Sequence, residues 1–331
     1  MSTSSLPYIQ NEMNFYGYPI LLTVGDIGNI FILILFNRQR SNACSIYLMN
    51  SAVANILYLT IGGFFKIFSY SYTDQTLRSI ILCKLSNYTP SFLGQVTKTL
   101  LIFACIDRYM ITSRSATLRA FSTAKRAKYF TFGIYIFWAI VASHTLVWVT
   151  VIRGQCNLSD GYVKFFAFYA VIFIGLIPTV SISVFGYLTY RNMRQLHSRI
   201  QPNDQNTNDD TNNKTLKRRD RDLLVLVLSE VIVYIFTTLP LTSVHFERMV
   251  TQFALPVKSL AFIQAEAFAL NVAFLLVFIF SAIPFYTYIV ASSSFRQDFK
   301  QLIVTGYKII RKLPTDPTTT ISSLQRATRV S

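Results

Sequence analysis

Asp107-Arg108-Tyr109 closes an apolar run whose other end carries Cys83, twenty-five residues before Arg108. If the run is helical, that separation is roughly 37 Å at 1.5 Å per residue, enough to cross a bilayer's hydrocarbon. Charged residues at the end of a membrane-length segment are expensive and therefore candidates for function. The chemistry they offer is a charge-assisted bond, stronger than a neutral hydrogen bond. The plainer alternative is an arginine that snorkels to lipid phosphate. Other chemistries are poorly supplied. His245 has no cysteine or second histidine close enough in sequence to build a metal site with it, no acid pair is clustered for hydrolysis, and no cofactor is implied.

The elements that must carry these residues are apolar blocks. The 331 residues are 52% hydrophobic and only 14% charged, which is outside the range of ordinary soluble proteins. Seven blocks run Tyr18 to Phe36, Ile46 to Phe65, Leu85 to Ile106, Tyr129 to Ile152, Phe165 to Tyr190, Leu223 to Val244 and Leu260 to Val290. Each reaches about the 20 residues that a membrane-crossing helix needs. The expected fold is an all-α, seven-transmembrane helix bundle.

Lysine and arginine fix an expected orientation. Leaving aside Arg108 and Lys66 at the block ends, the connections after the first, third and fifth blocks, with the C-terminal tail, carry 22 of them, against 6 on the opposite face. Positive charge stays in the cytoplasm, so the N-terminus is expected outside, in a multi-pass plasma-membrane protein. The net charge of +16 then reflects topology and attraction to membrane lipid or an acidic partner, with no need of nucleic acid. The expected division is an extracellular segment over 1–17, the seven-helix domain over 18–291, an amphipathic surface helix over 292–303 and a cytoplasmic tail over 304–331.

The opening residues lack the charged and apolar regions of a cleaved signal peptide, so the first helix is expected to direct its own insertion. Gln201 to Asn213 and the stretch from Pro314 read as disordered, and there is no internal repeat of the kind many transporters carry. Phe295, Phe299, Leu302 and Ile303 form the apolar stripe of the surface helix, with Arg296 and Lys300 beside it. Cys83 and Cys156 fall on the oxidising side and Cys44 and Cys105 toward the reducing one, so topology permits only a Cys83–Cys156 bridge. Lys98 and Glu230 lie ten residues from Arg108 and Asp220 and hence at one depth. A helical offset of about 80° leaves both a direct pair and separate polar partners open.

Taken together, these landmarks resemble the rhodopsin-like (class A) G-protein-coupled receptors over essentially the whole chain. Gly28-Asn29, Met49 through Asn55, Cys83, Asp107-Arg108-Tyr109, Trp138, Cys156, Pro178 and Pro240 follow one another in the family's order. The chain departs from the family at Asn55, where an aspartate is usual, and at Thr237-Thr238-Leu239-Pro240, which lacks the tryptophan of the sixth-helix motif. Pro284-Phe285-Tyr286-Thr287-Tyr288 stands for Asn-Pro-x-x-Tyr. Pro90 occupies the place of the amine-binding aspartate, and the seventh block has no lysine for a retinal Schiff base. An amine receptor and an opsin are therefore disfavoured. Lys217 to Leu224 and the Val231-Ile232-Val233-Tyr234 run are similar to invertebrate FMRFamide-like peptide receptors.

The resemblance implies roles for particular residues. Arg108 would be latched by Asp107 and by Asp220, or by the nearby Asp222, and would turn to a heterotrimeric G protein, with Tyr109 and Tyr288 taking part. Asn29 and Asn55 would form a neutral polar network in place of a sodium site, which would otherwise use Asn55, Thr97 and Pro284. Trp138, Pro178, Pro240 and Pro284 would set helix packing. Lys66, Ser91, Gln95, Leu241, Thr242, His245 and Phe274 would face an outer ligand cavity, and Asn157-Leu158-Ser159 would be a glycosylation site. The expected function is a cell-surface receptor for an extracellular ligand, a peptide by this likeness, that activates a heterotrimeric G protein. A small-molecule or orphan receptor with weak coupling is the alternative, and a membrane transporter a more distant one. An enzyme is not expected.

Overall fold

Hydrocarbon offers the backbone no water to bond, so a membrane-crossing chain must satisfy its own amides, and a helix does so within one segment. The computed structural model of the chain describes residues 6–38, 40–71, 79–152, 155–197, 210–254 and 258–312. Among these residues, seven helices are long and apolar enough to cross a membrane. They span Leu6–Asn37, Ala43–Ile67, Ile80–Thr112, Ala124–Trp148, Gly161–Asn192, Asp222–Ala254 and Leu260–Ala282, hereafter the first to seventh spans. Large apolar side chains such as Phe132, Ile140, Phe236 and Val290 point outward and stay exposed, as a surface facing lipid requires.

Helix ends depart from the apolar blocks where local chemistry overrides hydropathy. The first helix starts at Leu6, so much of the segment expected to precede the bundle is helical. Pro7 sits in the first turn, where its missing N–H is no loss. The fourth block does not stay helical to Ile152: the helix breaks at Ser143, resumes over His144–Trp148 and gives way to a strand. That strand, β1 (Val149–Ile152), is a β-branched run, and it pairs antiparallel with β2 (Gln155–Leu158), Val151 facing Cys156. Cys156 is thereby set against the start of the third span, where it forms the expected disulfide with Cys83.

The sixth helix begins at Asp210, inside the stretch expected to be disordered; residues 201–209 and the tail from 313 lie outside the described residues. The seventh span ends at Ile283, and Pro284 opens a further helix, Pro284–Ala291, at a position that needs no amide donor. The surface helix covers Ser293–Lys312, longer than the expected 292–303. Phe295 is buried against Phe285 and Tyr288, and the half-buried Phe299 packs against Phe31 and Phe285. Ile303 remains exposed.

Two apolar clusters fill the bundle. The larger joins Leu100, Leu101, Cys105, Val227, Tyr288 and Phe295 near the Arg108 end, and the smaller joins Tyr18, Tyr58, Leu93, Leu241 and Phe278 toward the disulfide end. Close approach is set by small residues. A Cβ on Gly25 would lie 2.8 Å from the Cβ of Ala282, so glycine lets the first and seventh spans touch backbone to backbone.

Candidate functional site

At one end of the bundle, Arg108 and Asp107 are each 1% exposed. Arg108 Nη2 donates to Asp107 Oδ2 at 2.6 Å and to Asn42 Oδ1 at 3.0 Å. Asn42 also caps the second span, accepting from the backbone N–H of Cys44 at 3.0 Å. The other Asp107 oxygen accepts a hydrogen bond from the Ser122 hydroxyl. One carboxylate thus gathers the third span, the cap of the second and the connection to the fourth. Tyr109 packs its ring toward Phe185 of the fifth span, with centroids 6.2 Å apart.

The side chain of Asp220, the expected second partner of Arg108, lies outside the described residues. Asp222, the substitute considered for it, accepts a hydrogen bond from Ser294 of the surface helix. It therefore ties the sixth span to that helix and leaves Arg108 to other partners. Tyr288 donates to the buried Glu230, joining the segment after the seventh span to the sixth. Lys98 and Glu230 do not meet: Lys98 Nζ donates to the Ile174 carbonyl at 3.1 Å. The angular offset between their helices, greater than lysine's reach closes, sends the two charges to separate partners.

Asn29 Nδ2 donates to the carbonyls of Gly25 and Ser281 at 2.8 and 3.0 Å, and Asn55 Nδ2 approaches Asn29 Oδ1 at 3.4 Å. The network is neutral, and Thr97 turns its hydroxyl back to the Leu93 carbonyl. Trp138 donates to Thr99 Oγ1 at 2.8 Å, fastening the fourth span to the third. Thr189 of the fifth span donates its hydroxyl to the Cys105 carbonyl at 3.2 Å, tying it to the third. Asp26 accepts from Thr60 at 2.9 Å, and Glu266 is held by Arg248 and Lys258, each at 2.5 Å.

The disulfide end opens into a cavity of about 290 Å³. Lys66, Ser91, Gln95, Leu241, His245 and Phe274 line it as expected, together with Tyr58, Lys98, Arg248 and Phe278. Thr242 does not. It lies a helical step beyond Leu241 and turns to the fifth span, where a Cβ on Gly175 would come within 2.5 Å of its Cγ2. A second cavity of about 410 Å³, sharing His245 and Arg248, continues toward Lys258 and Glu266. Asn157 is exposed on β2 at this end.

The fifth span explains the buried polar residues of the cavity. Residues Ala170–Leu176 form a π-helical turn, in which the N–H of Ile177 bonds the carbonyl of Ile172. That shift bypasses the Phe173 carbonyl, which accepts instead from Gln95 Nε2 at 2.9 Å. Pro178 has no N–H to offer four residues back, and the Ile174 carbonyl is taken by Lys98. Two backbone acceptors displaced by the turn and the proline thus recruit two side chains of the third span. Sequence reasoning named Gln95 and Pro178 but not their connection. It also missed Asn42 and Ser122, although a lone Asn before an apolar run is a helix-start signal that pointed to the first.

Known sequences converge on the same architecture. The sequence model of the family described as 7 transmembrane receptor (rhodopsin family) matches residues 28–312. The chain is 28% identical to C-C chemokine receptor type 1 of Macaca fascicularis, over 45% of this chain and 43% of that protein. It is 30% identical to Probable G-protein coupled receptor 34 of Mus musculus, over 42% of this chain and 37% of that protein. The chain spans less than half the length of these curated relatives.

Proposed function

Because the chain belongs to the rhodopsin family of seven-transmembrane receptors, and so to receptors and not enzymes, we propose that it binds an extracellular ligand, a peptide, and promotes nucleotide exchange on a heterotrimeric G protein. The observation that carries this reading is the pairing of an open polar cavity at the disulfide end with a buried, bonded arginine at the other. The excess of lysine and arginine on the Arg108 side supports placing that end in the cytoplasm and the N-terminus outside. The relative named as a chemokine receptor is compatible with a polypeptide ligand.

Such a device does no covalent chemistry. A ligand shifts the bundle only by its differential affinity for two arrangements, and the coupling free energy is reciprocal between the two ends. On this reading the bonds of Arg108 to Asp107 and Asn42, and of Tyr288 to Glu230, belong to the resting arrangement. Opening the Arg108 end must break some of them, and a ligand that draws the fifth and sixth spans together supplies the work. By its sequence position, twenty residues before Pro240, Asp220 is read as a further latch, and Asn157 as a glycosylation acceptor by its sequon and exposure.

The test is reconstitution of the full chain in lipid nanodiscs with purified heterotrimers, read as guanine-nucleotide exchange. Exchange above that of empty nanodiscs is expected. Ion or solute flux through chain-bearing liposomes, with no exchange on any heterotrimer, would replace the receptor with a transporter.

A further inference from the structure

Among the described residues, the cavity at the disulfide end is lined by the cations Lys66, Lys98 and Arg248 and by no acid. These cations are not equivalent. Arg248 is neutralised by Glu266 at 2.5 Å, and Glu266 also binds Lys258. Among the described residues, neither Lys66 nor Lys98 makes an ion pair. Lys98 is 4% exposed, and its one hydrogen bond, to the Ile174 carbonyl, uses one of an ammonium's three donors. Lys66 stands 4.8 Å from the centroid of the Phe274 ring, which offers only a π face.

Holding up one carbonyl does not require a charge. Gln95 does the same for the Phe173 carbonyl one turn away with a neutral amide. A buried cation without a carboxylate is costly in a low-dielectric bundle, and the cost is recovered when a negative group arrives. The rest of the lining combines neutral polar groups, Ser91, Gln95 and His245 among them, with an apolar wall of Leu241, Phe274 and Phe278.

We propose that the ligand enters this cavity by a negatively charged group, a carboxylate or a phosphate, which the Lys98 and Lys66 ammonium groups hold while an apolar part of the ligand lies against Phe274 and Phe278. This rests on the receptor reading above and sharpens it. It also runs against the FMRFamide likeness in the sequence, because a ligand ending in Arg-Phe-amide has no terminal carboxylate and would bring a cation to cations and leave the lysines unpaired. The Arg248–Glu266–Lys258 cluster sets two cations on one carboxylate and so keeps a net positive charge that favours approach of an anion.

The experiment uses the full chain in nanodiscs of neutral lipid, with ligand-induced thermal stabilisation as the readout. One pair of probes is a pooled tetrapeptide library made with free-acid termini and the same library made as amides. The second is a single-chain lipid phosphate and the matching uncharged monoacylglycerol. The acid member of one pair is expected to stabilise the protein at least tenfold more potently than its neutral counterpart, and which pair responds identifies the source of the anion. Lys98→Gln, which keeps a donor for the Ile174 carbonyl, and Lys66→Gln should each weaken acid binding by about tenfold or more, the usual worth of a hydrogen bond to a charged group. Lys164→Gln, a control that lies outside the lining, should leave it unchanged. Equal potency of the neutral members, acid binding untouched by both cavity variants, or no stabilisation by either acid probe at millimolar concentration would overturn the proposal. Amides that drive nucleotide exchange on the G protein would remove this inference and keep the receptor.

Discussion

The two ends of the bundle treat buried cations in opposite ways. Arg108 is closed in, with Asp107 at 2.6 Å and Asn42 at 3.0 Å, and the cavity that borders Asp107 and Ser122 amounts to only about 90 Å³. Lys98, no more than ten residues up the same helix, has one backbone carbonyl and borders a cavity of about 290 Å³. Breaking a buried ion pair by removing one partner costs about 3–5 kcal/mol. The Arg108 end is therefore closed by bonds internal to the chain, while the other end is open. On the proposed function, that asymmetry lets binding at the open end be transmitted as release at the closed one.

The largest effect should come from taking away the scaffold of the open end. Cys83→Ser and Cys156→Ser should each remove most of the protein from the cell surface, since a loop-closing disulfide contributes about 2–4 kcal/mol. The double variant should be no worse than either alone, because one bond is lost in all three. Clearly additive losses in surface labelling would show that the cysteines act separately.

The closed end should loosen next. Glu230→Gln and Tyr288→Phe each alter the buried bond between the sixth and seventh spans, and a hydrogen bond to a charged partner contributes about 1.5–3 kcal/mol. Ligand-independent nucleotide exchange should rise about tenfold in each, and the double variant should match the singles. Unchanged basal exchange would mean that this bond persists in the signalling arrangement. Ser122→Ala removes only the hydroxyl that Asp107 accepts. Its basal exchange should rise by roughly fivefold or less, on about 1 kcal/mol for one bond.

The smallest effect expected is none. Asn55 gives the polar network of Asn29 and Ser281 no negative charge to hold a cation. Replacing sodium with a bulky monovalent cation should therefore change ligand affinity by less than about twofold. A sodium-specific loss of affinity would place a charge in that network that these residues do not supply.

The seven spans and the disulfide were legible in the sequence, because long apolar runs and cysteine placement express one-dimensional constraints, whereas the cavity residues came only from the family resemblance. The hairpin Val149–Leu158 was not. Its first strand is as apolar as the helix before it, and hydropathy does not separate a β-branched strand from a span. The partners of Lys98 and Asp222 were hidden for another reason. Lys98 bonds a carbonyl displaced by a π turn and Pro178, and Asp222 bonds Ser294 across 72 residues of sequence. Depth along a helix follows from counting residues, whereas azimuth depends on how each helix is locally wound. Thr242 shows the same limit, since one step past Leu241 turned it from the cavity to Gly175.

The central claim, that the open end governs a switch held at Arg108, is tested most directly by Arg108→Ala. The full chain and the variant are compared in nanodiscs with the same purified heterotrimer, measuring nucleotide exchange together with thermal stabilisation by whichever probe binds the wild type. The account predicts exchange at the level of empty nanodiscs with probe binding retained within about threefold, a shift of less than about 1 kcal/mol. Wild-type exchange in the variant would contradict it.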